Sequence, residues 1–215
     1  MIDLDELILR VQRTSNGFLD IQNATDEVFH EYPADTCLKI AKQFFASNIY
    51  QVRSLAVFLF GNLASGSSES VAILKQKVSF DSDWRVQEIL AKAFDTFCSD
   101  MGYEQSLPTI REWLEDPNPN VRRAVSEGLR IWTSRPYFKD HPDIAIHLLS
   151  PLREDESEYV RKSAGNALRD ISKKHPNLVR EALQGWNLEN KKVAQTYRLA
   201  ARFLKDKTKF PGSLP

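Results

Sequence analysis

Five stretches of the chain open alike, with a valine among polar and basic neighbours and a long amphipathic run behind it. They read YQVRSLAVFLFGNLAS, DWRVQEILAKAFDTFC, NPNVRRAVSEGLRIWTS, SEYVRKSAGNALRDISK and NKKVAQTYRLAARFLKD. The aligned valines are Val52, Val86, Val121, Val160 and Val193, spaced by 34, 35, 39 and 33 residues. Shorter amphipathic stretches lie between them, among them YEQSLPTIREWLED and HPDIAIHLLSPLRED. Each unit therefore reads as a pair of helices, a period typical of stacked helical arrays. One such pair cannot bury its apolar face alone, whereas stacked neighbours can. The chain is expected to be all-α, a continuous α-solenoid. Pro108, Pro142 and Pro176 lie near the starts of the intervening helices, where a missing amide costs little.

Composition agrees with that reading. Only 8 of 215 residues are glycine, which argues against a turn-rich all-β chain. Hydrophobic residues make up 42%, enough for a core and too many for a disordered chain. Five pairs and an N-terminal helical segment use nearly the whole sequence, so a single domain over residues 1–207 is expected, with 208–215 as a flexible tail. The N-terminus carries Asp3, Asp5 and Glu6 and has no signal-peptide character. No stretch reaches the roughly 18 apolar residues of a membrane span. Cys37 and Cys98 show no paired spacing, and His30, His141, His147 and His175 form no ligand motif. A cytoplasmic monomer without metal or cofactor is the expectation.

Helical projection of the second helices separates core from open face. Val86, Ile89, Leu90, Ala93, Phe94 and Phe97 form one core stripe. Trp84 and Glu88 share the opposite face, one turn apart, and Asp95 continues it. A tryptophan beside carboxylates either packs sideways on a neighbouring pair or offers a stacking platform beside an acid. In the next unit Val121, Ala124, Val125, Gly128, Leu129 and Trp132 read as core, opposite Arg123, Ser126, Glu127 and Arg130. In the following one Val160, Ala164, Ala167, Leu168 and Ile171 read as core. Lys162, Gly165, Asn166, Arg169 and Lys173 stand opposite, with Asp170 on the flank. The last unit opposes Gln195, Arg198 and Arg202 to its core. If second helices line the concave side, these faces form one groove, with Trp and carboxylate in the middle and cations toward the C-terminus.

The charge balance of zero conceals an asymmetry. Residues 1–100 carry 9 basic and 14 acidic side chains, and residues 101–215 carry 20 and 15. A basic C-terminal half can attract phosphate, more weakly as salt rises.

Three runs carry a resemblance to a known family: Trp84-Arg-Val-Gln-Glu88; Asn120-Val-Arg-Arg123-Ala with Ser126-Glu-Gly128; and Tyr159-Val-Arg-Lys-Ser-Ala-Gly165-Asn166-Ala-Leu-Arg169-Asp170-Ile-Ser-Lys. Over roughly residues 50–186 the chain resembles the HEAT-like DNA alkylation repair family, the AlkC/AlkD-type alkylpurine DNA glycosylases. The resemblance implies HEAT-like pairs and double-stranded DNA with alkylated bases as partner. It also implies hydrolysis of the N-glycosidic bond of cationic alkylated purines, without cofactor or metal. The AlkD-like Trp-x-x-x-Asp falls on Trp84 and Glu88, with Glu in place of Asp, and the groove arginine falls on Arg123. A second groove tryptophan of that branch falls on Asn166. The Asn-x-Leu-x-Asp run is closer to the AlkC branch, whose terminal acid matches Asp170. Glu88 and Asp170 are then the candidate catalysts and Trp84 the contact to the damaged nucleotide. Arg123, Arg130, Lys162, Asn166, Arg169 and Lys173 are the DNA-binding candidates. The alternatives are a non-catalytic HEAT-like scaffold for branched DNA or a protein, and a lyase-like or regulatory repeat protein acting on another protein.

Overall fold

The computed structural model describes residues 2–204, and the expected tail at 208–215 lies outside them. Among the described residues there are only helices and connecting turns. The contacts gather the chain into two compact units, divided between Leu129 and Arg130. The first contains α1 (Leu4–Gln12), α2 (Leu19–Glu31), α3 (Ala34–Phe45), α4 (Tyr50–Leu63), α5 (Ser68–Gln76), α6 (Trp84–Met101), α7 (Leu107–Leu114) and α8 (Pro119–Gly128). The second contains α9 (Pro136–Asp140), α10 (Pro142–Leu149), α11 (Glu158–Ser172), α12 (Pro176–Gln184) and α13 (Lys191–Ala200). The five valine-led stretches are α4, α6, α8, α11 and α13, and the proline-led helices α7, α10 and α12 alternate with them.

The starts of the second helices share recurring local devices. Asp81, Asp116 and Asp155 each accept, through Oδ1, the amide two residues on, at 2.9, 2.8 and 2.8 Å. Asp83, Asn118 and Asn190 then cap the helices that follow, accepting the amides of Arg85, Asn120 and Lys192 at 2.9 Å each. The residue after each of the first four valines closes the turn by donating to the carbonyl six positions back. Arg53 reaches Ser47 at 3.0 Å, Gln87 reaches Asp81 at 2.8 Å, Arg122 reaches Asp116 at 2.6 Å and Arg161 reaches Asp155 at 2.7 Å. These turns thus satisfy backbone acceptors that would otherwise compete for water.

All five aligned valines are buried. In the first unit α4 is apolar nearly all round and packs against α3, α2 and α6, and Phe94 of α6 lies 4.4 Å from Trp113 of α7, centroid to centroid. The second helices also touch one another directly, α4 to α6 and α6 to α8 in the first unit, α11 to α13 in the second. Glycine permits the closest of these approaches. A Cβ at Gly128 would overlap the Ala91 carbonyl oxygen of α6. One at Gly165 would stand 2.8 Å from Leu199 Cβ and 3.0 Å from the Thr196 carbonyl of α13.

Two features depart from helical projection. The core stripe ending at Trp132 does not lie on one helix. α8 stops at Gly128, Ile131 takes a left-handed conformation (φ 35°, ψ 68°), and Trp132 begins a short 3₁₀ turn, Trp132–Ser134. Trp132 is core as expected, edge-on to Phe138 at 4.8 Å, but a strained turn puts it there. Ser126 and Gly165, projected onto open faces, are buried, Gly165 against α13.

Substituting Gly128→Ala should force α8 away from α6. Overpacking of this kind costs about 1–3 kcal/mol. The expected result is a fall in the thermal midpoint of at least about 3 °C, read by circular dichroism. An unchanged midpoint would show that the contact does not limit stability.

Candidate functional site

In the first unit the candidate residues start from the cap of α6. Asp83 caps the helix and also grips Arg85, at 2.9 Å to Nε and 2.7 Å to Nη2. The guanidinium of Arg85 lies 3.5 Å over the ring of Tyr50, from the start of α4, and 5.9 Å from the Trp84 ring. The hydrogen bonds from Arg85 outweigh partial burial and hold the Asp83 carboxyl below the usual range. Trp84 is 65% exposed, so the sideways-packed alternative does not describe it. Glu88, one turn on, is half-buried and has no hydrogen-bond or ion-pair partner among the described residues. Arg123, on α8 against α6, is likewise half-buried and unpaired. Among the described residues no side-chain hydrogen bond or ion pair joins these three. Asp95, projected onto the same face, accepts from the Tyr103 hydroxyl at 3.0 Å.

In the second unit Asp170 is 6% exposed and surrounded by cations. Lys173 Nζ stands 2.9 Å from its carboxylate, and Arg169 and Arg130 each 3.3 Å. Burial alone would raise its pKa. The hydrogen bonds from Lys173 and Arg130 and the field of Arg169 win, and the carboxyl is held below its ordinary value. Arg169 also donates to Asn166 Oδ1 at 2.9 Å. Lys162 pairs with Glu158 at 2.7 Å, both side chains about half exposed. Lys173 lies 5.1 Å over the Phe203 ring. Gln195, read as an open-face residue, is occupied by Arg161 and Glu158, whereas Arg198 and Arg202 stay exposed and unpaired among the described residues.

The two acids are therefore electrostatic opposites. Asp170 is compensated by three cations, and its cluster carries a net positive charge suited to an anion. Glu88 has no counter-charge and leaves its field available to a cation. Sequence reasoning did not single out Tyr50, Asp83 or Arg85. The available signal was an aspartate two residues before an arginine, astride Trp84.

A family model described as "DNA alkylation repair enzyme" matches residues 19–210. The chain belongs to the DNA alkylation repair enzyme family. It is 46% identical to AlkD2 from Streptococcus mutans, with a TM-score of 0.92 over 94% of this chain and 98% of that one. A second solved structure, smu.31 from Streptococcus mutans UA159, is 45% identical with a TM-score of 0.88 over 94% and 100%. The alkylpurine DNA glycosylase AlkC of Pseudomonas fluorescens, solved on DNA containing an abasic-site analogue, is 26% identical. Its TM-score is 0.59, over 95% of this chain and 65% of AlkC. Among curated proteins, the uncharacterized protein YhaZ of Bacillus subtilis is 42% identical over 87 residues. That match takes in 39% of this chain and about a quarter (24%) of the relative.

The repair family's helical fold accounts for the all-α pairs. Among the described residues no group of three or more His, Cys, Asp or Glu could hold a metal ion, and no helix is long and apolar enough to cross a membrane. Cys37 and Cys98 are both buried and form no disulfide, and burial pushes the Cys37 thiol up.

In this family member Asp170 also carries a stability effect with a definite sign. A carboxyl held below its unfolded value, near about 4, stabilises the fold above that value. The contribution disappears as pH falls through the lower, folded-state value. Asp170→Asn should lose about 2 kcal/mol at pH 7 and at pH 5, since hydrogen bonds to charged groups are worth roughly 1.5–3 kcal/mol. The gap to wild type should narrow below about pH 4. Denaturant titrations across this range check it, and a gap independent of pH would exclude the ionised carboxylate as its source.

Proposed function

We propose that this repair-family protein binds duplex DNA containing alkylated bases and hydrolyses the N-glycosidic bond of cationic alkylated purines. The observation that carries this reading is the unpaired, half-buried Glu88 one turn from the exposed face of Trp84. Similarity to an alkylpurine glycosylase solved on DNA supports the substrate class.

The chemistry asks little of the protein. An alkylated purine is already positively charged and leaves with the bonding electron pair when the C–N bond breaks. The sugar left behind is oxocarbenium-like. A carboxylate without a counter-charge stabilises that cation and orients the water that attacks it. An indole face beside it attracts positive charge. Arg123 is free to take a phosphate near this pair. In the second unit Arg130, Lys162, Arg169 and Lys173, with Asn166, supply further backbone contacts. The exposed Lys162–Glu158 pair is worth little and yields readily to a phosphate. Asp170, the other acid carried by the resemblance, serves in this arrangement to orient its three cations, and no cofactor enters.

One observation favours a second reading, DNA binding without hydrolysis. The position of the second groove tryptophan is Asn166, and Arg169 holds its side-chain oxygen at 2.9 Å. A polar side chain already engaged offers no aromatic face to the damaged nucleotide.

Release of methylated bases from alkylated duplex DNA separates the two. Wild type should release them, and Glu88→Gln should lose at least about 100-fold in rate, the scale of removing one electrostatic stabiliser, while still binding DNA. No release by wild type, with salt-dependent binding retained, selects the binding-only reading. Unchanged affinity in Arg123→Ala and Arg169→Ala would remove the phosphate assignments.

A further inference from the structure

The turn that leads into α6 is held from both sides, yet it shows two large aromatic side chains to solvent. Arg53 of α4 binds Asp81 through Nε at 2.6 Å and Nη2 at 3.1 Å, with both side chains mostly buried. Gln87 binds the carbonyls of Val78 and Asp81 at 3.0 and 2.8 Å. From the next repeat, Asn118 donates to Ser79 Oγ at 2.9 Å and Asn120 to the Ser79 carbonyl at 2.9 Å. Phe80 and Trp84, on the two sides of Asp81 and Asp83, are nevertheless 72% and 65% exposed. Large apolar side chains fixed in water on so rigid a turn point to a contact surface.

Its charges point to the partner. Asp81 is compensated by Arg53 and Asp83 by Arg85, so the turn presents little negative charge of its own. Lys77, three residues before Phe80, is exposed and has no partner among the described residues. Two exposed aromatic side chains and an unpaired ammonium on one short stretch, residues 77–84, suit a nucleic acid, with bases to stack and a phosphate to hold.

We propose that the Phe80–Trp84 turn is a preformed stacking wedge that seats an unstacked base of distorted duplex DNA, with Lys77 on the adjoining phosphate. The inference rests on the DNA-binding reading and adds a base-stacking determinant outside Glu88, Arg123 and the Asp170 cluster. Phe80 acts by its ring face. Phe80→Tyr therefore keeps the function and Phe80→Leu loses it, although both remain bulky.

The test uses the full chain and two duplexes, one fully paired and one with a single unpaired 2-aminopurine. Wild type should bind the second roughly tenfold more tightly, with quenching of the 2-aminopurine as it stacks. Phe80→Leu should erase the preference and the quenching and change affinity for the paired duplex less than about twofold, whereas Phe80→Tyr should keep both. Lys77→Ala should lower the salt slope by about one phosphate contact. Wild-type binding without preference or quenching, or quenching that survives Phe80→Leu, overturns the wedge and leaves the DNA reading standing. Failure of wild type to bind either duplex overturns both.

Discussion

The interaction on which the rest of the structure depends is a side chain reaching back across a turn. Gln87, Arg53, Arg122 and Arg161 each follow a buried valine and each donate to the carbonyl six residues earlier. The valine fixes depth, since it must be buried, and the donor fixes the approach of the preceding turn. An aspartate at the turn's start, in three of the four, adds the amide two residues on. Helix starts so determined can stack closely, as Gly128 against Ala91 and Gly165 against α13 require. A few ångströms of play at each start would be felt along the whole length of such tightly packed helices.

The same constraint acts at the first turn of α6. A side chain displayed there inherits the rigidity of the turn below it. Asp83 caps the helix and grips Arg85, and Tyr50 of the preceding repeat stacks on the same guanidinium. Preorganisation of this kind lowers the entropy lost when a ligand is bound. It also explains how an exposed tryptophan can be compatible with a stable core: the six core-stripe residues from Val86 to Phe97 stay buried on the opposite side.

Much of this was legible in the sequence. The recurring valines and prolines placed the helices, and periodicity separated Trp132, which is core, from Trp84, which is exposed. What periodicity cannot provide is the neighbour. Gly165 and Ser126 project away from the core stripe, and on an isolated helix they would be open. Both are nevertheless buried, and at Gly165 the cause is α13, which covers that side. The helix end at Gly128 was equally hidden, because apolar spacing continues through Leu129 to Trp132 while the backbone turns left-handed at Ile131. A β-branched residue gives no local signal for that conformation. The Asp-x-Asp, Asp-x-Asn and Asp-x-Ser spacings at residues 81–83, 116–118 and 155–157 were visible, and they carry the turn chemistry that the valines alone do not.

Counting charges by segment identified a basic half and an acidic half, and pairing revises what that count means. In the basic half, Arg130, Arg169 and Lys173 surround one buried carboxylate, which fixes their direction and removes one unit of their charge. In the acidic half, Asp81 and Asp83 are compensated within the fold, while the Lys77 ammonium is not. The acidic half therefore offers, at Lys77, an unpaired cation that its net charge hides. Exposed pairs such as Lys162–Glu158 exchange a neighbour for a phosphate at small cost, whereas the cations on Asp170 leave behind a buried carboxylate if they turn away. Glu88 gains its significance from the same distinction. It is one carboxylate among several in that half without a cation, set apart because it is half-buried one turn from Trp84 rather than exposed, so its field remains for whatever positive charge is brought to it.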